Sequence, residues 1–438
     1  MRRWRILLPA LAVLLAAGLL AGAVWLFADA ARVTYDETIL QGDAADFAGV
    51  TVQTRNRMGF EVFWETAYRP GADDTARSRM VFGGEDRSPV RDEPEVEAAC
   101  YLLNEPEGRS DAEADALVEA VAARTPEGGA LEEVHRAADW YEYFPLSIRL
   151  DSDVVVTELR TDLQIPVPDD FQVRVSVWGH EGARFSFTVR EASGAGPTLR
   201  ARSAGLREGD RAHCWFALDT GSLDTSRLPG GGGVLEIDSE DRTVGCAYPL
   251  PAGTRVCDLW LTEDQGTLCV LHSLDGAHTL TTLSVPDMTV RQTLALPIAA
   301  EAALSIPLRF GDLALVPASD NTLTVLAPDG GGRYAVQAQA DRSGDPALEP
   351  PPYFDLQDML AADFSGGRLV LARQQFVDGD PSQDMNLILS VYGADGQRST
   401  MECLCSLGRE TLPERYFYGR NNQLQPGWTR PVTVTIEP

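Results

Sequence analysis

A chain of 438 residues with 44% hydrophobic and 23% charged side chains can bury a large core, which excludes disorder over most of its length. Acids outnumber bases 65 to 37, giving a net charge of −28, and every basic residue is an arginine. Such a surface repels phosphate backbones and anionic headgroups, so it excludes nucleic acid as a partner and favours cations or basic partners.

The N-terminus carries the clearest address. Residues 1–5 form a basic tail with Arg2, Arg3 and Arg5, and residues 6–27, from Ile6 to Phe27, contain no charge. At 1.5 Å per residue, 22 helical residues span about 33 Å, enough to cross a hydrocarbon core of about 30 Å. Trp4 and Trp25 fall near the two interfaces, and Asp29 follows the run. The arginines on the near side place the N-terminus in the cytoplasm and the C-terminal body outside the cell membrane, as a single-pass protein. The triplet Ala28-Asp29-Ala30 offers a second reading, in which a signal peptidase cuts after Ala30 and the body is secreted. Residues 28–45 read as a short acidic stalk, and 46–438 as the ectodomain.

Within the ectodomain, four stretches repeat one grammar of three strands separated by turns. They are His213–Asp219, Val234–Ile237 and Thr243–Pro249; Thr267–Ser273, Thr279–Val285 and Val290–Leu296; Asp312–Ala318, Thr322–Ala327 and Arg333–Gln339; Arg368–Gln374, Asn386–Tyr392 and Arg398–Leu404. Multi-stranded repeats of this length indicate propeller blades. The dipeptides Asp275-Gly276, Asp329-Gly330 and Asp395-Gly396 supply the positive φ of tight hairpins. Val173–Trp178 with Arg184–Arg190, and Val50–Thr54 with Gly59–Thr66, read as further units. Val432, Val434 and Ile436 alternate along Pro431–Ile436, which is expected to pair with an early blade and remove an exposed edge. Ser110 and Glu113 make a capping box before an alanine-rich run, so a helical insert is expected over about 109–140, with a second short helix at 130–138. The fold class is therefore all-β: a β-propeller of about six to eight blades, preceded by one transmembrane helix. The alternative is a pair of β-sandwich domains divided near residue 200.

The segment Thr262-Glu263-Asp264-Gln265-Gly266-Thr267-Leu268-Cys269-Val270 resembles the hairpin of YVTN-type and WD40-like propellers. Residues 363–371 (DFSGGRLVL) resemble the same hairpin, and residues 283–290 (LSVPDMTV) the next one. The resemblance covers about 210–407 and lacks the Trp-Asp and Gly-His dipeptides of WD40 repeats. It implies a fold and no activity. Thr262-x-Asp264-x-Gly266 is also similar in part to the Asp box of sialidase propellers, although a tight turn explains it fully.

No catalytic motif stands out. Cys100, Cys214, Cys246, Cys257, Cys269, Cys403 and Cys405 include no C-x-x-C pair, and they read mainly as buried reduced thiols. Cys403 and Cys405 share a strand face, with Leu404 opposite. A metal site at His213 and Cys214 is weakened because alternation sends the two to opposite faces. His272 and His278 flank one hairpin as prospective neighbours across it; His135 and His180 stand apart from any motif. Asp378, Asp380 and Asp384, with Ser382 and Asn386, are oxygen ligands of the kind calcium takes, but the loop lacks an EF-hand glycine and reads as solvated. Gly230 to Gly233 lack the Lys-Ser/Thr of a phosphate loop. Trp140, Tyr141, Tyr143 and Phe144 read as core packing near Pro145. No cofactor and no metal is expected. The functional reading is a non-catalytic binding, sensing or interaction module for a protein or small-molecule ligand. The enzyme alternative is a carboxylate-dependent hydrolase or lyase, which requires two acids close together in one pocket; Asp258, Asp264, Asp320 and Asp363 are its candidates.

Overall fold

The computed structural model describes residues 13–22, 34–57, 62–71, 76–82, 95–98, 101–102, 131–136, 142–149, 157–161, 171–178, 184–191, 200–208, 211–219, 229–238, 244–329, 332–349, 356–375, 386–405 and 429–437. The described strands assemble into antiparallel sheets. Two compact units divide the chain, one of residues 1–90 with 307–438 and one of residues 91–306. The division falls at residues 90 and 306 rather than near residue 200.

Four sheets follow one another from residue 200 onward, each a four-stranded meander. The 200–249 sheet contains Arg200–Glu208, Arg211–Asp219, Gly233–Asp238 and Val244–Pro249. The 255–295 sheet contains Arg255–Leu261, Thr267–Leu274, Ala277–Ser284 and Val290–Ala295. The 308–341 sheet contains Leu308–Phe310, Leu313–Pro317, Thr322–Pro328 and Tyr334–Asp341, and the 360–405 sheet contains Leu360–Ser365, Arg368–Gln374, Leu387–Tyr392 and Arg398–Cys405. Each expected three-stranded repeat thus gains a leading strand. The leading strands begin at 200, 255, 308 and 360, a more even interval than the sequence pattern offered.

Apolar sequence explains the order within a sheet. Every residue of Leu387–Tyr392 is buried, as are six of seven in Arg368–Gln374, so these central strands are covered on both faces and are mainly apolar, with Ser390, Arg373 and Gln374 as their buried polar residues. The last strand of a sheet alternates instead, as in Val290–Ala295, because one of its faces meets solvent. Adjacent sheets pack face to face within a unit. Trp215 and Val234 meet Leu259, Val270 and Leu283 in the second unit, while Leu315, Leu323 and Val325 meet Leu369, Leu371 and Ile388 in the first. Each such aliphatic side chain contributes roughly 1.5–3 kcal/mol relative to an exposed one.

The two chain ends are paired across the first unit. The C-terminal strand Thr429–Ile436 lies antiparallel to Val50–Arg57, with Val52 opposite Val434 and Val50 opposite Ile436, and Val62–Tyr68 and Ala76–Phe82 complete that sheet. The expected pairing of 431–436 with an early strand is therefore present. Val434 and Ile436 are buried beside Val52, Val370 and Leu389. The Ile436 amide donates to Asp363 Oδ2 at 3.0 Å, and the Glu437 amide to the Gly49 carbonyl at 2.9 Å. In return, the N-terminal strand Tyr35–Gln41 adds to Arg398–Cys405 as a fifth strand of the 360–405 sheet. Tyr35 packs on Tyr68 with ring centroids 4.3 Å apart, and Tyr68 Oη donates to Glu37 Oε1 at 2.9 Å. Gly42 has φ +79°, and a Cβ there would lie 1.9 Å from Ser399 Oγ, so only glycine fits where the strand turns away.

Three expectations need correction or fall outside. Residues 35–41 are strand rather than stalk: Tyr35 has a buried site to fill, and the edge of the 360–405 sheet offers backbone partners. Residues 131–136 are strand rather than helix, since Leu131–Arg136 pairs with Phe171–Trp178, which also pairs with Arg184–Glu191. The remainder of the expected insert, 109–130 and 137–140, lies outside the described residues. A further sheet joins Glu95–Ala98, Tyr101–Leu102 and Thr157–Thr161 to Glu142–Arg149. Residues 13–22 are helical, the rest of the 6–27 segment lies outside the described residues, and no described helix is long and apolar enough to cross a membrane.

The pairing of the chain ends carries a testable cost. Ile436→Ala is expected to lower the unfolding free energy by about 2–5 kcal/mol in denaturant titration. A loss below about 1 kcal/mol would mean that the C-terminal strand contributes little packing.

Candidate functional site

The described residues bring reactive side chains together at one end of the 255–295 sheet. Asp275 and Gly276 both have positive φ, 49° and 77°, which defines a two-residue hairpin turn between Thr267–Leu274 and Ala277–Ser284. The turn fixes the register, so Ser273 stands directly opposite His278. Ser273 Oγ lies 2.8 Å from His278 Nδ1, and His278 Nε2 lies 3.1 Å from the Ala299 carbonyl oxygen. A carbonyl only accepts, so Nε2 carries the ring proton, Nδ1 is left as an acceptor, and Ser273 donates to it. His278 is buried at 5% exposure, whereas Ser273 is half-buried. Cys257 Sγ comes within 3.8 Å of Ser273 Oγ from a bulge in Arg255–Leu261. The segment after Ala295 closes over the turn, where a Cβ on Gly276 would sit 2.8 Å from the Ala300 carbonyl oxygen.

His272 and His213 make structural contacts, while His180 and the side chain of His135 lie outside the described residues. His272 points to the opposite face from His278, since it pairs with Thr279 while His278 pairs with Ser273. The two are therefore not neighbours across the hairpin. His272 Nε2 is 3.0 Å from Thr281 Oγ1, and burial lowers its pKa. His213 stacks on Trp215 and lies 3.5 Å from Glu236, while Cys214 is buried on the other face. Alternation thus separates His213 from Cys214, and among the described residues no cluster of three or more His, Cys, Asp or Glu is placed to hold a metal.

Three of the four candidate acids accept backbone amides. Asp264 accepts from Thr262 Oγ1 at 2.7 Å and from the Gly266 amide at 2.9 Å, which holds its pKa below the usual value. Asp320 accepts from the Thr322 amide at 2.9 Å, and Asp363 from the Ile436 amide. Asp258 is buried beside the Cys257 bulge. Asp264 and Asp320 serve turns, and Asp363 ties the C-terminal strand to Leu360–Ser365. Asp378, Asp380, Asp384 and Ser382 lie outside the described residues. Asn386 is buried, and its Oδ1 accepts from the Cys405 amide at 2.7 Å. Trp140 and Tyr141 also lie outside, and Tyr143 and Phe144 belong to Glu142–Arg149.

Four of the six described cysteines are buried as expected, and Cys100 lies outside the described residues. Cys214, Cys257, Cys269 and Cys403 are buried, and Cys246 and Cys405 are half-buried. Burial pushes the Cys214 and Cys403 thiols up to about 12. Cys403 and Cys405 face the Tyr35 and Tyr68 side while Leu404 is exposed, as alternation requires.

No protein-family model matches the chain, and no curated protein matches it. Among solved structures, the chain is similar to an oligogalacturonate lyase in complex with manganese at 11% identity, covering 85% of this chain and 97% of that one with a TM-score of 0.31. It is similar to the Dos1 propeller at 10% identity, covering 61% and 68% with a TM-score of 0.29. It is similar to the Cps50 (Swd1) β-propeller domain of Myceliophteria thermophila at 10% identity, covering 63% and 96% with a TM-score of 0.23. Likenesses this faint transfer neither site nor activity.

A thiol with a pKa near 12 exposes almost no thiolate at pH 8, and the thiolate is the reactive form. Alkylation of native protein at pH 8 is therefore expected to be slow at Cys214 and Cys403. After denaturation without reductant, all seven cysteines should react. Reaction of a single thiol in the unfolded chain would instead reveal three disulfides.

Proposed function

We propose that the chain is an exported, membrane-tethered module that works by binding, with its successive sheets as β-propeller blades and its connecting loops as the recognition surface. The observation that carries this reading is the use made of the acidic side chains. Asp264, Asp320 and Asp363 accept backbone amides, so three of the four acids that a carboxylate-dependent hydrolase or lyase would draw on already serve the backbone. The mutual pairing of the two ends supports a rigid scaffold, because it ties a strand near residue 35 and one near residue 436 into sheets formed by the opposite end of the chain. The net charge of −28 favours a cationic or basic ligand, whether a small molecule or a protein surface. The tether is the uncharged 6–27 run behind Arg2, Arg3 and Arg5, with secretion after cleavage near Ala30 as the second form. Tyr35–Gln41 begins a few residues after Ala30, so either form keeps the N-terminal strand.

Protease added to intact cells is expected to digest the body while leaving cytoplasmic proteins whole. Protection of the body until the cells are lysed would contradict export.

A further inference from the structure

We propose that Ser273 is a nucleophile, activated by His278, that accepts acyl groups from carboxylic esters. The inference goes beyond the binding role and stands apart from it, because a module that only binds leaves Ser273 inert. A serine hydroxyl is a weak nucleophile until a base within hydrogen-bond reach takes its proton, and that base must itself be oriented by a third group. All three parts are present. Nucleophile and base are 2.8 Å apart, within the productive range, and the Ala299 carbonyl holds the far ring nitrogen at 3.1 Å. That carbonyl fixes the tautomer in which Nδ1 faces the hydroxyl with its lone pair free. It also stabilises the imidazolium that forms when Nδ1 takes the proton, since Nε2–H then donates more strongly.

The surroundings suit the chemistry. His278 is buried and held by the segment that covers Gly276, so its ring does not wander. Ser273 is half-buried rather than sealed in the core. The rigid turn at Asp275 and Gly276 sets the distance between the two side chains, so the pair is preorganised by the backbone. In the acyl step, the Ser273 Oγ–carbon bond forms and the bond from the carbonyl carbon to the ester oxygen breaks. The serine proton passes through His278 Nδ1 to the departing alkoxide. Water then attacks the acyl-serine, the carboxylic acid leaves, and the proton returns to Ser273 Oγ.

The test uses an alkyl fluorophosphonate on the full-length chain in detergent. Phosphorus bonds to Ser273 Oγ, fluoride leaves, and His278 receives the proton. Peptide mapping is essential because the Cys257 thiol lies beside Ser273. A single adduct on Ser273 is expected, absent in Ser273→Ala and slowed about 100-fold or more in His278→Gln. Chain unfolded in urea should lose the Ser273 adduct, a control that depends on no substitution. The proposal is overturned if the folded chain gives no adduct on Ser273, or if the unfolded chain labels there equally well. An unchanged rate in His278→Gln would overturn it too.

Discussion

Antiparallel pairing of the two chain ends is the constraint on which the first unit depends. Bringing together residues almost four hundred positions apart costs loop-closure entropy, but that cost grows only logarithmically with length. It is offset by two ladders of backbone hydrogen bonds and by the burial of Tyr35, Val434 and Ile436. Without the C-terminal strand, Val50–Arg57 would present an unpaired edge, which invites association with other chains. Without the N-terminal strand, Arg398–Cys405 would do the same. The small contacts around these strands are specific to the arrangement. Asp43 caps the turn at Ala44–Phe47, Ser399 hydrogen-bonds both the Asp43 amide and the Asp46 carboxylate, and Arg368 reaches the carbonyls of Asp46 and Ala48.

A strongly acidic chain must place its carboxylates where they do not repel one another, and many are placed in turns. Asp264, Asp287, Asp320, Asp341 and Asp395 each accept the amide two residues on. This local bond mimics part of a backbone turn and explains why aspartate is favoured there. One acid is buried for another purpose. Asp345 accepts from Ser390 Oγ at 2.6 Å, from Tyr392 Oη at 2.5 Å and from the Ala347 amide at 2.9 Å, so it joins the 342–349 connection to the 360–405 sheet.

Much of the fold is legible from particular residues. Leu369 to Ala372 announces a central strand by an unbroken apolar run, Leu387 to Tyr392 by one interrupted only at Ser390, and Val432, Val434 and Ile436 announce a half-buried strand by alternation. The leading strands are harder to read. Leu308–Phe310 has three residues, and Arg255–Leu261 carries Asp258 and a bulge at Cys257 that breaks any period. The N-terminal strand is illegible because six of its seven residues are exposed, and only pairing with a distant partner makes it a strand. The site follows the same logic. His272 and His278 are visible beside a turn, but which of them meets Ser273 depends on register, and register depends on the two positive-φ turn residues. A one-residue slip would exchange the faces of both histidines.

Amide hydrogen exchange, compared between the full chain and a chain ending at residue 428, tests the central claim most directly. Mutual closure predicts that removing the C-terminal strand strips protection from Val50–Arg57 and weakens it in Leu360–Ser365, where Asp363 loses the Ile436 amide, while the 255–295 sheet keeps its protection. Unchanged protection in Val50–Arg57 would show that the C-terminal strand is not its partner, and would contradict the account.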